Sequence, residues 1–182
     1  MCGLVNPDQT SRVLGVVLAG GRSERMGGVD KTALDVGGKT MLERVKQALA
    51  TTCGRIVVVG PDAGGGPAAA VAAVAHALDD ADVVVVVAGD LALLQADHVQ
   101  ALVRELGDGA AASAMDDRGL PNPLVAAYRA TTLRDALADI GEGDRADRLL
   151  PPDTRGVQLD ADATFSVNTP ADLEEARRRV NR

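Results

Sequence analysis

Aromatic side chains are almost missing from this sequence. Among 182 residues there is one Phe, one Tyr and no Trp. Proteins that bind single-stranded nucleic acid stack the bases on aromatic side chains, so this composition argues against such a partner. Apolar residues nevertheless make up 46% of the chain. We therefore expect a core built from Val, Leu and Ala.

Excess positive charge and long apolar runs are also lacking. The formal net charge of −7 repels phosphate backbones and anionic lipid, which argues against nucleic-acid and membrane partners. The longest strongly apolar segment, Val83–Ala88, is far shorter than the roughly 20 residues of a membrane-spanning helix. Residues 1–12, MCGLVNPDQTSR, lack the apolar stretch of a signal peptide. We predict a loose tail there and a cytoplasmic location.

Cysteine is scarce as well. Cys2 and Cys53 form neither a disulfide framework nor a metal-binding cluster. A chain of this length buries about 70% of the surface that its unfolded form exposes, so its core needs no covalent support. We expect one folded domain over residues 13–182.

Short valine-rich segments alternate with amphipathic segments along the chain. The pattern predicts strands over 13–19, 55–60, 83–87, 110–115 and 124–128, and helices over 41–52, 66–80, 99–106, 132–140 and from 169 onward. The five consecutive valines at 83–87 are typical of a central strand that is buried on both faces. The alternation predicts a single-domain α/β fold, a doubly wound and mostly parallel sheet with helices on both faces.

The segment that follows the first predicted strand, LAGGRSERMGGVDK from Leu18 to Lys31, is the most informative one. Its glycines let backbone amides converge on an anion. Arg22, Arg25 and Lys31 add three cations in an otherwise acidic chain. These features predict a site for a polyphosphate. The alternative is a surface loop with ordinary charges.

Two common nucleotide-binding motifs do not fit. The Rossmann fingerprint fails because Gly20 and Gly21 are adjacent. Gly38, Lys39 and Thr40 imitate the end of a P-loop, but the required first glycine is an alanine at position 33. We predict instead that this triplet ends a turn and caps a helix.

The Leu18–Lys31 segment closely resembles the signature of the nucleotidyltransferases that include the molybdenum cofactor guanylyltransferases. That signature reads roughly LAGG-x-S-x-R-M-G-x-D-K, and this chain has one extra residue between Met26 and Asp30. Further segments are similar to those of the family in the same order. They are GPAA at 66–69, AGDL at 88–91, NPLVAAYR at 122–129 and FSVNTPADL at 165–173.

The resemblance implies a role for each matching residue. The loop would cradle a GTP triphosphate, Lys31 would contact the phosphates, and Asp90 would bind Mg²⁺. Asn168 would lie near the same metal or near the acceptor. The implied catalytic residues are Lys31, Arg25 and Asp90. The implied nucleotide-binding residues are Leu18, Ala19, Gly20, Gly21, Arg22, Ser23, Arg25, Lys31, Gly66 and Asp90, of which Leu18, Ala19 and Gly20 would line the base and ribose.

The position of Asp90 in the sequence supports a metal site there, independently of the resemblance. In open α/β sheets, ligands bind beyond the carboxyl ends of the strands, where the strand order reverses. Asp90 follows the valine strand and the glycine loop follows the first strand, so both are predicted at that edge. Mg²⁺ binds one or two carboxylates together with water and phosphate oxygens. The alternative is that Asp90 caps the next helix.

The chain departs from the family between residues 60 and 66. Relatives have a longer segment there, with a strand and an acidic residue that touches guanine, and Asp62 is only a weak substitute. In addition, Ala92 replaces a proline and Ser166 replaces the first asparagine of the family's FxNVNTPEDL ending.

The expected function is Mg²⁺-dependent transfer of GMP from GTP to molybdopterin carrying molybdenum (the molybdenum cofactor), with release of pyrophosphate. Residues 13–107 would bind the nucleotide and residues 108–182 the acceptor. Enzymes that use the molybdenum cofactor would be transient partners. Three alternatives stay open: transfer from GTP or CTP to another phosphorylated acceptor, a catalytically silent nucleotide-binding module, and a structural α/β subunit.

Overall fold

The computed structural model describes residues 12–19, 30–60 and 65–181. Of the expected N-terminal tail it describes only Arg12. Within the described ranges, six strands form one sheet in the order β2-β1-β3-β5-β4-β6. The strands are β1 (Val13–Leu18), β2 (Arg55–Val59), β3 (Val83–Ala88), β4 (Ala111–Met115), β5 (Pro121–Arg129) and β6 (Arg155–Val157).

Helices cover both faces of this sheet. They are α1 (Met41–Ala50), α2 (Gly66–Ala72), α3 (Ala96–Leu106), α4 (Ala130–Ala138) and α5 (Pro170–Val180), with short 3₁₀ turns at Lys31–Ala33, Ala75–Leu78 and Ala146–Leu149. Successive strand residues point to opposite faces, so the strands contribute to two cores. One core contains apolar residues of α1 and α3, and the other contains those of α2 and α4. The predicted α/β class is confirmed.

The sheet is mostly parallel, as predicted. Strand β1 pairs in parallel with β2 and β3, and β4 pairs in parallel with β6. Of the described strands, β5 alone runs antiparallel to its neighbours, β3 and β4. The strand order reverses at β1, because the chain continues to β2 on one side and to β3 on the other. The carboxyl edge of the sheet at β1 and β3 is therefore where a ligand is expected.

Helix α5 builds a third, smaller core beside this edge. Leu173 and Ala176 pack with Val36, Leu93 and Val167. The helix begins with a capping box, in which Thr169 and Asp172 satisfy each other's backbone N–H groups, and Pro170 occupies its first turn. The third core thus holds the segment after Lys31, the segment after Asp90 and the start of α5 together.

Several predicted boundaries were wrong. The helix expected over 66–80 ends at Ala72, and a 3₁₀ turn follows that buries Ala77 and Leu78 against the α2 and α4 core. The helix expected from Thr132 begins at Ala130 without a side-chain cap, because β5 leads directly into it. Strand β6 was not predicted, since three residues are too few to show a period. In the described part of the chain, no helix is long and apolar enough to cross a membrane.

Candidate active site

The site is built around Lys31, which a short 3₁₀ turn holds in place. The Asp30 carboxylate starts this turn by accepting hydrogen bonds from the Thr32 N–H (2.9 Å) and the Thr32 hydroxyl (2.7 Å). The Lys31 ammonium donates to Oδ1 of Asn168 at 2.8 Å and lies 3.9 Å from Oδ2 of Asp90. Its side chain is only 12% exposed. Residues that are far apart in the sequence therefore meet at one cation.

Gly89 allows Asp90 to lie this close to Lys31. The Gly89 N–H donates to the Leu18 carbonyl at 2.9 Å, which joins the ends of β1 and β3. A Cβ at position 89 would lie 3.1 Å from that carbonyl oxygen and 3.1 Å from Cγ2 of Thr32. Both distances are tighter than ordinary contacts with a side chain. The approach of β1 and of the Lys31 turn to β3 thus requires glycine here.

The Asp90 carboxylate is only partly satisfied. Its side chain is 22% exposed, and its Oδ1 atom is buried without a hydrogen-bond partner among the described residues. A buried polar atom without a partner is costly, and in native proteins it marks a strained or functional group or the place of a water molecule or an ion. Within the described ranges, no three His, Cys, Asp or Glu residues gather around a point. One carboxylate with a nearby amide oxygen fits Mg²⁺, which takes its remaining ligands from water and phosphate.

The start of α5 orients Asn168. Its amide nitrogen donates to the hydroxyl of Ser166 at 3.0 Å, so the amide oxygen faces Lys31. Its backbone N–H donates to the Asp172 carboxylate at 3.0 Å. Burial raises the pKa of Asp172, but hydrogen bonds from Asn168 and Thr169 and the charge of Lys31 outweigh this, and the pKa is lowered overall. Asp172 therefore remains a carboxylate and fixes the backbone that carries Asn168.

The structure excludes the alternative role of Asp90 as a helix cap. Helix α3 begins at Ala96, and Gln95 is its N-cap residue. The segment between Asp90 and Gln95, residues 91–94, is buried in the cores. The backbone carbonyl of Asp90 accepts a hydrogen bond from the Val167 N–H at 3.1 Å, which ties the aspartate to the segment that precedes Asn168.

The remaining predicted residues fall into two groups. Leu18 ends β1 in the core, the Ala19 N–H donates to the Val59 carbonyl at 2.8 Å, and Gly66 opens α2, which packs against β1. These three residues lie at the carboxyl edge of the sheet, on or beside β1. The second group lies outside the described residues and consists of Gly20, Gly21, Arg22, Ser23 and Arg25.

A further segment reaches this edge without having been predicted. The turn after α4 approaches the start of α2, and its Gly143 N–H donates to the Gly65 carbonyl at 3.0 Å. The local sequence GEGD at 141–144 indicates a turn, but nothing in it indicates which part of the fold the turn contacts.

Comparison with known proteins agrees with this architecture. Residues 15–156 match the MobA-like NTP transferase domain family. A protein of Natronomonas pharaonis named "Probable molybdenum cofactor guanylyltransferase" is 29% identical, with 92% of this chain and 98% of the relative covered. The family match spans 142 of the 182 residues, and the match to the relative spans nearly the whole chain.

Solved structures share the fold at lower identity. The molybdopterin-guanine dinucleotide biosynthesis protein A of Archaeoglobus fulgidus superimposes with a TM-score of 0.71 at 22% identity, covering 92% of this chain and 98% of that one. The 2-C-methyl-D-erythritol 4-phosphate cytidylyltransferase of Thermus thermophilus superimposes with a TM-score of 0.67 at 19% identity, with the same coverage. Both likenesses concern the fold alone. The match over residues 15–156 shows that the chain belongs to the MobA-like NTP transferase family and is a nucleotidyltransferase.

Proposed function

We propose that this enzyme transfers GMP from GTP to molybdopterin carrying molybdenum, with Mg²⁺, and releases pyrophosphate. The product would be the guanine dinucleotide form of the cofactor. The observation that carries the proposal is the cluster of Lys31, Asp90 and Asn168 at the point where strand order reverses. The family and the name of the Natronomonas relative support the choice of reaction.

The proposed chemistry is a direct displacement. A phosphate oxygen of the acceptor attacks the α-phosphorus of GTP, and the bond from this phosphorus to its bridging oxygen breaks. The bonding electrons leave with pyrophosphate, so no covalent enzyme intermediate is required. Catalysis then depends on holding the two reactants in line and on stabilising the negative charge that develops.

Lys31 is suited to the second task. Its ammonium is a charged donor, and hydrogen bonds between charged partners are stronger than neutral ones. The contact with Asn168 at 2.8 Å holds the ammonium at the carboxyl edge, so little reorganisation would be needed when phosphate binds. Arg25, in the loop before Lys31, is proposed as a second cation toward the phosphates.

Asp90 would hold the Mg²⁺ ion, with Asn168 as an additional oxygen donor. When bound, the ion would neutralise negative charge on the nucleotide phosphates. The buried Oδ1 atom of Asp90 supports this assignment because it accepts no hydrogen bond from the described residues. The Lys31 ammonium lies 3.9 Å from Oδ2 and forms an ion pair with the carboxylate in the protein itself.

The rest of the proposed nucleotide site follows the sequence. Gly20, Gly21, Arg22 and Ser23 would bind the triphosphate through backbone amides and side chains. The base and ribose would lie against Leu18, Ala19 and Gly20, and Gly66 would also contact the nucleotide. On this proposal residues 13–107 supply most of the nucleotide site, and residues 108–182 supply the acceptor site together with Asn168.

Incubation with each of the four NTPs and Mg²⁺, with and without molybdopterin, tests the proposed function. We expect pyrophosphate release only with GTP and acceptor together. Release of pyrophosphate with CTP, or with GTP and a different phosphorylated acceptor, would mean that the enzyme catalyses the same type of reaction on other substrates. Tight nucleotide binding without turnover on any acceptor would indicate a silent binding module.

We also propose that the product is passed to enzymes that use the molybdenum cofactor. Such transfer would avoid release of the cofactor into solution. An immobilised copy of the protein should retain these enzymes from an extract, and more strongly when it is loaded with product. Equal recovery on an inert protein would argue against direct transfer.

A further inference from the structure

The Lys31 ammonium lies beside both residues that would hold the Mg²⁺ ion. It donates to Oδ1 of Asn168 at 2.8 Å and lies 3.9 Å from Oδ2 of Asp90. Mg²⁺ binds its oxygen ligands at about 2.1 Å, so an ion on the same Asn168 oxygen would lie within about 5 Å of the ammonium. Two cations at such a distance repel each other strongly where little water screens them. The ammonium and a metal ion therefore compete for this place.

The burial of the cluster strengthens this competition. The side chain of Lys31 is 12% exposed and that of Asp90 is 22% exposed. The charge of the ammonium also reaches the Asp172 carboxylate at the start of α5. Lys31 is thus the cation that compensates the carboxylates of the described site, and a partly buried ion pair is screened much less by salt than an exposed one.

Asn168 does not depend on Lys31 for its orientation. Its amide nitrogen donates to the Ser166 hydroxyl at 3.0 Å and to the Ser166 carbonyl at 3.3 Å. Both acceptors lie on the nitrogen side of the amide, so Oδ1 points away from Ser166. The Val167 N–H donates to the Asp90 carbonyl at 3.1 Å, which fixes the backbone of the carboxylate as well. The two oxygen donors therefore stay in place when the ammonium moves.

The Lys31 ammonium can move without a change in the fold. The hydrogen bonds between Asp30 and Thr32 hold the backbone of its turn, whereas the ammonium is carried by a flexible four-carbon stem. Among the described residues, its one hydrogen bond is the contact with Asn168. Phosphate oxygens are charged acceptors, so a triphosphate offers the ammonium stronger hydrogen bonds than an amide oxygen does.

We propose that Lys31 excludes divalent metal ions from Asp90 and Asn168 until a nucleoside triphosphate draws the ammonium away. This inference rests on the proposed function, because it concerns the order in which the same site is filled. Until then, the ammonium compensates the charge of the partly buried carboxylate. Metal and nucleotide then bind together, and the enzyme without nucleotide holds no metal at this place.

Binding of Mn²⁺, followed by NMR spectroscopy, tests the inference without turnover. Mn²⁺ takes the same oxygen ligands as Mg²⁺, and as a paramagnetic ion it broadens the amide signals nearest to it. Those of Gly89 and Val167 report on Asp90, because the first precedes it and the second donates to its carbonyl. Without nucleotide, the wild type should show no selective broadening of these signals. Lys31→Met, which keeps a long side chain without the charge, should bind Mn²⁺ there about tenfold or more tightly than the wild type.

Two variants show whether this gain is local. Lys46→Met removes the same charge from an exposed lysine of α1 and should behave like the wild type. Adding Asp90→Asn to Lys31→Met should abolish the gain. Equal broadening in the nucleotide-free wild type and Lys31→Met, a similar gain in Lys46→Met, or a gain that survives Asp90→Asn would overturn the inference.

Addition of GTP separates this inference from the proposed function. In the wild type, GTP together with Mn²⁺ should broaden the Gly89 and Val167 signals. If Lys31→Met gains Mn²⁺ binding and the wild type shows no broadening even when GTP is bound, the exclusion of metal by Lys31 stands. The proposed role of Asp90 in nucleotidyl transfer would then be contradicted.

Discussion

Replacing Asp90 with alanine separates the proposed catalytic role of this residue from a structural one. The change removes a carboxylate whose Oδ1 atom is buried without a described partner and whose Oδ2 atom is 3.9 Å from the Lys31 ammonium. Asp90 caps no helix, since α3 begins after Gln95. We expect Asp90→Ala to fold like the wild type and to lose nearly all transfer activity.

The expected change in stability is small because two effects oppose each other. At 3.9 Å and an effective dielectric constant of 20, the attraction between Asp90 and Lys31 is at most about 4 kcal/mol. The cost of removing the carboxylate from water is also several kcal/mol per ion. Lys31 keeps its hydrogen bond to Asn168 in the variant. We therefore expect the free energy of unfolding to change by no more than about 1 kcal/mol, or a Tm shift of about 2–4 °C.

The expected loss of activity is much larger. Removing one preorganised electrostatic contact typically lowers the rate by about 10² to 10³, and loss of a metal ligand by as much or more. Turnover and Tm should be measured on the same preparation, with Asp153→Ala, an exposed aspartate elsewhere, as the control. An Asp90→Ala protein that turns over normally but melts well below the control would refute the assignment of Asp90 to the metal.

Three further outcomes are expected. Lys31→Ala should weaken both GTP binding and turnover. Lys31→Arg should restore little of either, because a planar guanidinium does not replace a compact ammonium. Full activity of the alanine variant would exclude Lys31 from the site. Gly89→Ala should lower the free energy of unfolding by about 1–3 kcal/mol, because the new Cβ atom would press on the Leu18 carbonyl. An unchanged Tm would show that β1 and β3 can separate at no cost. Asp172→Asn should be less stable than the wild type at pH 7, as denaturant unfolding would show. The folded-state pKa of Asp172 is below the ordinary 3.8. The stability difference between the wild type and Asp172→Asn is therefore fully present above about pH 4 and disappears as the pH falls through the folded-state pKa. A stability difference that grew in acid would contradict the role of the carboxylate.

The elements with strong local signals were predicted well from the sequence. The valine strand β3 has no polar residue that would place one face in water. Helix α1 begins with the Thr40–Glu43 capping box and α5 with Thr169 and Pro170, and each signal acts within one turn of the helix. These features depend on residues that are close together in the sequence, so they can be recognised without knowledge of the fold.

The features that were missed depend on contacts between distant segments. The alanine-rich stretch after Gly66 has no local stop signal. Its helix nevertheless ends at Ala72, and the 3₁₀ turn that follows brings Leu78 into the core. The match to the family's motifs pointed to Lys31, Asp90 and Asn168 as site residues, but only the fold shows that Asn168 holds the Lys31 ammonium. The hydrogen bond from the Gly143 N–H to the Gly65 carbonyl left no signal in the sequence, because both residues lie in glycine-rich turns that are typical of many surfaces.

We propose that the cluster at the ends of β1 and β3 catalyses nucleotidyl transfer to molybdopterin. Mass spectrometry of the products formed from GTP, Mg²⁺ and molybdopterin tests it most directly, with Asp90→Ala and Asp153→Ala assayed beside the wild type. We expect the guanine dinucleotide cofactor and an equal amount of pyrophosphate with the wild type and Asp153→Ala, and neither product with Asp90→Ala. The same yield of the dinucleotide from Asp90→Ala, or none from a wild type that binds GTP, would contradict it.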